Sequence, residues 1–179
     1  MSLDTINYLN VFLGSGAIAL QILSVAALLM LFFGPKNNFF LDFIHRNFLI
    51  LGFLLALAPA LVLIYSEVLN YVPCYHCWIQ RIFMFPQVFL FSVAWWRKDR
   101  NVFWYSWPLL VAGTLDAIYL NYIYYFNPSS APCDATGVSC AQIYVSVFGG
   151  YISIPSLALT SFASLLVLLA VAHFYKKGE

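Results

Sequence analysis

The sequence predicts an all-α, polytopic membrane protein. Hydrophobic residues make up 63% of the 179-residue chain and charged residues only 8%, far below the ~25% of an ordinary soluble domain. The apolar residues gather into five stretches, roughly 9–33, 48–71, 78–96, 102–126 and 152–175. Each is close to the ~20 residues needed to cross a ~30 Å hydrocarbon core. In lipid each must be helical, because its backbone polar groups have to be satisfied within the segment. A net charge of +1 suggests neither nucleic acid nor an acidic substrate.

Before residue 36 the only charged side chain is Asp4. The first stretch therefore lacks the basic front of a signal peptide, and it is too long for one; it reads as a retained helix. Gly14 and Gly16 fit either a close packing contact or a helix that tolerates glycine. Gly34-Pro35-Lys36-Asn37-Asn38 then forms a break, and the second stretch carries Ser66 and Glu67. The third follows Pro73 and ends at Arg97-Lys98-Asp99-Arg100. The fourth holds Asp116 near its middle and stops at Asn127-Pro128-Ser129-Ser130, and the fifth closes the chain before Lys176 and Lys177.

Basic residues near helix ends set orientation. Lys36 and Arg46, then Arg97, Lys98 and Arg100, then Lys176 and Lys177 fall on one side of a five-helix path, seven of the eight basic residues. That side is expected to be cytoplasmic, with segments 34–47, 97–101 and 176–179 on it. The N-terminus and the loops 72–77 and 127–151 lie outside, and both loops hold cysteines. The expected location is the cell membrane, with the cysteine loops periplasmic or extracellular.

The cysteines are Cys74-Tyr75-His76-Cys77 and the pair Cys133 and Cys140. Structural disulfides, a metal site of four thiolates with His76, and redox chemistry all compete for them. A second nearby His is missing and the compartment is oxidising, which disfavours metal. A Cys-x-x-Cys ring is so small that it constrains little of the unfolded chain, which disfavours a purely structural staple. Pro73 and Cys74 stand just ahead of a helix, where unpaired N–H groups favour a thiolate at Cys77. Arg81 shares a face with Cys74, Cys77, Phe85 and Val88 and sits about 6 Å deeper than Cys77. It breaks the charge rule, and such a residue marks a functional site with a partner. Two roles stay open for it: holding a quinone oxygen, or snorkelling to the headgroups. Cys133 and Cys140 flank a polar turn after an Asn-Pro-Ser-Ser-Ala-Pro run, an exposed arrangement open to another protein's thiol.

Pro73-Cys74-Tyr75-His76-Cys77-Trp78-Ile79-Gln80-Arg81 resembles the Cys-x-x-Cys segment of the disulfide bond formation protein B family (DsbB, called BdbC in its short-loop branch). Pro132-Cys133 to Cys140 resembles the second cysteine pair of that branch, as does Ser66-Glu67. Gly150-Tyr151-Ile152-Ser153-Ile154-Pro155-Ser156-Leu157 is similar to the approach to the family's last helix. The resemblance spans about residues 48–175. It implies a four-helix transmembrane bundle over 48–179, with residues 1–47 adding one extra N-terminal membrane helix and a cytoplasmic loop. It implies a thiol:quinone oxidoreductase that reoxidises a thioredoxin-like DsbA- or BdbD-type protein and reduces ubiquinone or menaquinone. Cys133 would form the mixed disulfide with that protein and Cys140 would resolve it. Cys74 and Cys77 would exchange with that pair, with Cys77 facing the quinone and Arg81 binding it. Asp116 matches no family motif and reads either as a proton group or as a buried hydrogen-bonded acid.

Two other readings compete. A vitamin K epoxide reductase-like protein has similar chemistry, but its loop cysteines precede the Cys-x-x-Cys, and here they follow it. A small membrane transporter or assembly factor with structural disulfides would instead line a path with Glu67, Arg81 and Asp116.

Overall fold

The computed structural model describes residues 3–34, 38–59, 74–126 and 147–175. Five helices follow in order: α1 Leu3–Phe33, α2 Phe39–Leu57, α3 Tyr75–Arg97, α4 Val102–Phe126 and α5 Ile154–Phe174. Helices α2, α3, α4 and α5 form a closed ring in which each packs on the next and α5 returns to α2. Helix α1 stands outside that ring, along α5. The fold is the expected four-helix bundle with one extra N-terminal helix.

Four helical segments are long and apolar enough to cross a bilayer: Ile6–Phe33, Phe39–Leu57, Tyr75–Arg97 and Ile154–Phe174. Helix α4 has 25 residues, but Trp104, Tyr105, Trp107, Tyr119, Tyr122, Tyr124 and Tyr125 lower its mean hydropathy. These aromatics cluster near its two ends, where amphipathic rings suit membrane–water interfaces. Wedged between α3 and α5, α4 covers the same depth as its neighbours.

The second apolar stretch needs correcting. The expected start was residue 48, yet α2 begins at Phe39, so the proposed domain boundary at 47 falls inside a helix. Hydropathy misses this turn because Asp42, His45, Arg46 and Asn47 interrupt the apolar run. Leu41 and Phe48 of the same helix are nonetheless buried. Asp42 lies in the first turn, where a carboxylate opposes the helix dipole, and its Oδ2 is 3.9 Å from Arg46 Nη1. Residues 60–71 of that stretch lie outside the described residues.

The ring closes through ridges that meet glycines. A Cβ at Gly52 would overlap the Phe91 ring, and one at Gly113 would overlap Phe162. Both phenylalanines are fully buried, so the small residues let α2 approach α3 and α4 approach α5, as is usual where lipid leaves close packing to hold helices together. Helix α1 is seated by Gln21 Nε2 donating to Thr160 Oγ1 (2.7 Å) and Ser24 Oγ donating to Ser164 Oγ (3.0 Å). These pairs advance together along both helices, so α1 and α5 run parallel. Gly14 does make a close contact, since a Cβ there would lie 3.2 Å from Phe148, whereas Gly16 faces open space. Most large side chains of α1 point outward, Phe12 and Ile22 among them, as a lipid-facing helix requires.

The molecule thus has two ends. Asn38, His45, Arg100 and Tyr175 meet at one: the Tyr175 hydroxyl donates to Asn38 O (3.3 Å) and Arg100 Nη2 to His45 O (2.9 Å). This basic end holds the described parts of two segments that the charge pattern put on one side, 34–47 and 97–101, with Tyr175 beside them. Cys74, Phe126 and the 147–153 turn lie at the other.

Candidate functional site

Cys74 is the N-cap residue of α3, with extended backbone (φ −72°, ψ 171°), and Cys77 sits in the first turn. One residue of helix-capping geometry therefore brings the two side chains together, and the Sγ atoms lie 3.3 Å apart. A shift of roughly 1 Å would give the ~2.05 Å of a disulfide bond. Cys74 is buried and Cys77 half-buried, both against Leu120 of α4. The first-turn N–H groups, which have no carbonyl four residues back within the helix, point toward this end and favour a thiolate there.

Arg81 comes one turn deeper on the same flank. Its guanidinium carbon lies 4.8 Å from the centroid of the Trp78 ring. Trp78 is three residues closer to the helix start, so the arginine folds back toward the cysteines, the direction helical side chains favour. The most buried face of α3 is a different one, formed by His76, Gln80, Met84, Gln87, Phe91 and Ala94. The cysteine–arginine flank thus borders the core rather than filling it.

That buried face carries a polar seam along α4. His76 Nδ1 and Asp116 Oδ1 are 2.6 Å apart, with side chains only 11% and 12% exposed. The imidazole also packs against Tyr75 and Tyr119. Farther in, Ser106 Oγ donates to Gln87 Oε1, and Gln87 Nε2 to Ser106 O (3.4 Å). Between them Gln80 is buried, and neither its Nε2 nor Asp116 Oδ2 meets a hydrogen-bonding partner among the described residues. Sequence reasoning singled out His76 and Asp116 separately and missed their pairing, although a carboxyl in a membrane helix calls for a partner. It did not single out Gln80, Gln87 or Ser106.

The approach to α5 is also built at this end. Phe148, Gly149 and Gly150 take positive φ values of 55°, 71° and 90°, and an isolated bridge joins Val147 to Ile152. Ser153 and Ser156 form a reciprocal capping box at the start of α5. Tyr125 of α4 ties this turn down, its hydroxyl donating to Tyr151 O (2.9 Å) and lying 3.0 Å from Ser153 Oγ. The long loop predicted to carry Cys133 and Cys140 therefore leaves α4 and re-enters α5 at the cysteine end. Cys133 and Cys140 themselves, like Ser66, Glu67 and Pro73, lie outside the described residues.

Residues 45–172 match the family model described as "Disulfide bond formation protein DsbB". The chain is 37% identical to the "Probable disulfide formation protein" of Metapseudomonas resinovorans over 128 residues, 70% of this chain and 88% of that protein. It is 36% identical to the "Probable disulfide formation protein C 2" of Bacillus anthracis over 114 residues, 64% of this chain and 81% of the other. With the "Disulfide bond formation protein C" of Bacillus subtilis (strain 168) it shares 33% identity over 120 residues, 65% and 82% of the two chains. No solved structure matches the chain significantly.

Proposed function

The chain belongs to the DsbB family of membrane proteins of disulfide formation, and on that premise we propose that it is a thiol:quinone oxidoreductase with two cysteine pairs in series. The observation that carries this reading is the Cys74–Cys77 contact at the mouth of a membrane helix, with Arg81 one turn deeper. The outer pair, Cys133 and Cys140, takes two electrons and two protons from the dithiol of a thioredoxin-like DsbA- or BdbD-type protein by thiol–disulfide exchange. The first thiolate of that protein attacks Cys133, which carries the mixed disulfide while Cys140 leaves as a thiolate, and the protein's second thiol then displaces Cys133, so that protein departs oxidised and the outer pair is left reduced. The inner pair then receives them as two thiols, and closing the Cys74–Cys77 bond releases both electrons and both protons again. Cytoplasmic-membrane placement with the cysteine end outside supplies the oxidising compartment this needs.

The residues beside the inner pair suit a quinone. Arg81 brings a planar cation to the flank that holds Cys77, and Tyr75 and Trp78 add exposed aromatic surface. Gln80 Nε2, buried in the next turn, has an N–H to offer. When bound, the quinone supplies a two-electron, two-proton acceptor. Arg81 would bind and orient its carbonyl oxygen and stabilise negative charge there, which a snorkelling arginine would not do.

Steady-state kinetics over a quinone series tests this against a single-turnover exchange assay without quinone. Arg81→Lys keeps the charge and loses the fork, so its apparent KM for quinone rises, and that of Arg81→Ala rises further. A lost charge-assisted hydrogen bond of about 1.5–3 kcal/mol corresponds to roughly tenfold to a hundredfold. Exchange with the protein dithiol stays near wild type in both. Unchanged quinone KM and kcat in Arg81→Ala would return Arg81 to the role of a membrane anchor.

A further inference from the structure

The basic end, remote from the cysteines, carries a cavity of about 390 Å³ between α2 and α3. Arg46, Lys98 and Arg100 stand on its polar side, and Leu49, Ile50 and Trp95 form its apolar wall. No carboxylate lines it. Of the acids nearest in sequence, Asp42 lies beside Arg46, at 3.9 Å. Asp99 is engaged elsewhere, accepting from the Asn101 backbone N–H (2.9 Å) and the Tyr105 hydroxyl (2.8 Å). Those two hydrogen bonds hold its carboxyl below the usual range, so it stays an anion turned to its own loop.

The cations are not all loose surface groups. Arg100 is fixed by its 2.9 Å hydrogen bond to His45 O and by the Phe48 ring under its guanidinium, 5.4 Å from the centroid. Lys98 stands at the left-handed C-cap that ends α3 (φ 54°). Three cations converge on one concavity, and the long 3.9 Å contact of Asp42 with Arg46 leaves them room for a further anion. The cavity also sits where an apolar helix surface gives way to charge, the level at which a phospholipid changes from acyl chain to phosphate. A free phosphate would leave the Leu49, Ile50 and Trp95 wall without a use.

We propose that this cavity binds the phosphate of an anionic phospholipid, with Arg46, Lys98 and Arg100 around the headgroup and an acyl chain along Leu49, Ile50 and Trp95. Basic pockets between membrane helices are suited to such headgroups. The site lies at the opposite end of the bundle from the redox cysteines, so its test is independent of turnover.

The full-length protein, purified in detergent, is titrated with phosphatidylglycerol, and bound lipid is counted by native mass spectrometry. Arg46→Gln and Lys98→Asn each weaken binding about fivefold, since one Lys or Arg near an anionic headgroup contributes about that factor. Asn is chosen at 98 because it tolerates the left-handed conformation, and thermal unfolding confirms that each variant is folded. Arg97→Gln removes the same charge from the neighbouring exposed position, which does not line the cavity, and leaves affinity unchanged. Phosphatidylcholine binds more weakly than phosphatidylglycerol, and inorganic phosphate at the same concentration fails to displace the lipid. An equal loss in Arg97→Gln would show diffuse attraction and overturn the site. Equal binding of phosphatidylcholine, or displacement by inorganic phosphate, would overturn the identity of its ligand.

Discussion

His76 and Asp116 stand 40 residues apart in the chain and 2.6 Å apart in space, on α3 and α4, where Cys74 and Cys77 also pack against Leu120. A carboxylate and an imidazole this buried stabilise one another only as a pair, since either alone would leave a polar group without a partner in a lipid-surrounded bundle. Asp116→Ala is therefore expected to lower stability by about 1–3 kcal/mol, read as a fall in unfolding temperature in detergent. Asp116→Asn, which keeps an acceptor oxygen, costs less. In a His76→Phe background the effect of Asp116→Ala shrinks, because the interaction has already gone. Additive losses in that double-mutant cycle would mean the two side chains act separately. Of the two readings open for Asp116, the hydrogen-bonded acid is the one the geometry supplies. The sequence placed both residues near the right depth but could not say that their faces meet.

At the scale of the element, glycine positions separate two kinds of helix surface. Gly113 lets α4 lie against the Phe162 ring of α5, and a methyl group there overlaps the ring. Gly113→Ala should destabilise the bundle by about 1–3 kcal/mol through overpacking. Gly16 of α1 has nothing within 4 Å of an added Cβ, and its replacement by Ala should be neutral or slightly stabilising, by up to about 1 kcal/mol from helix propensity. Thermal unfolding of the two variants side by side checks the contrast, and equal effects would mean the α4–α5 seam is looser than described. The Gly14–Gly16 pair was legible as a site of possible contact, yet its two residues point to different neighbours. Which one touches Phe148 depends on how α1 is rotated on α5, and the composition of α1 does not contain that information.

The whole molecule is ordered by its two ends. The parallel run of α1 and α5 puts the start of α1 at the cysteine end, and Asn38, Arg100 and Tyr175 gather at the other. Single cysteines introduced at Asn37 and at Ser129, in a background without the native four, should react from opposite sides of intact cells. Ser129 is expected to label with a membrane-impermeant reagent applied outside, and Asn37 only after permeabilisation. Labelling of the Asn37 position from outside would reverse the assignment of the basic end to the cytoplasm. The expectation rests on charge, and the geometry supports it by bringing His45, Arg100 and Tyr175 to one end.

The sequence by itself determined the solvent, the helical class, the approximate spans and the place of Cys74 and Cys77 at the mouth of α3. The physical reason is that lipid forces every span to satisfy its own backbone, so length and hydropathy along one dimension are enough. The start of α2 escaped that reasoning because charged residues interrupt a run in which Leu41 and Phe48 are nonetheless buried. The tertiary structure alone decided that His76 meets Asp116, that Gln87 meets Ser106, that α1 lies along α5, and that Arg46 shares a cavity with Lys98 and Arg100. Lipid is as apolar as the helix faces it covers, so hydropathy does not mark which face turns inward. Close packing and hydrogen bonds between helices make that choice.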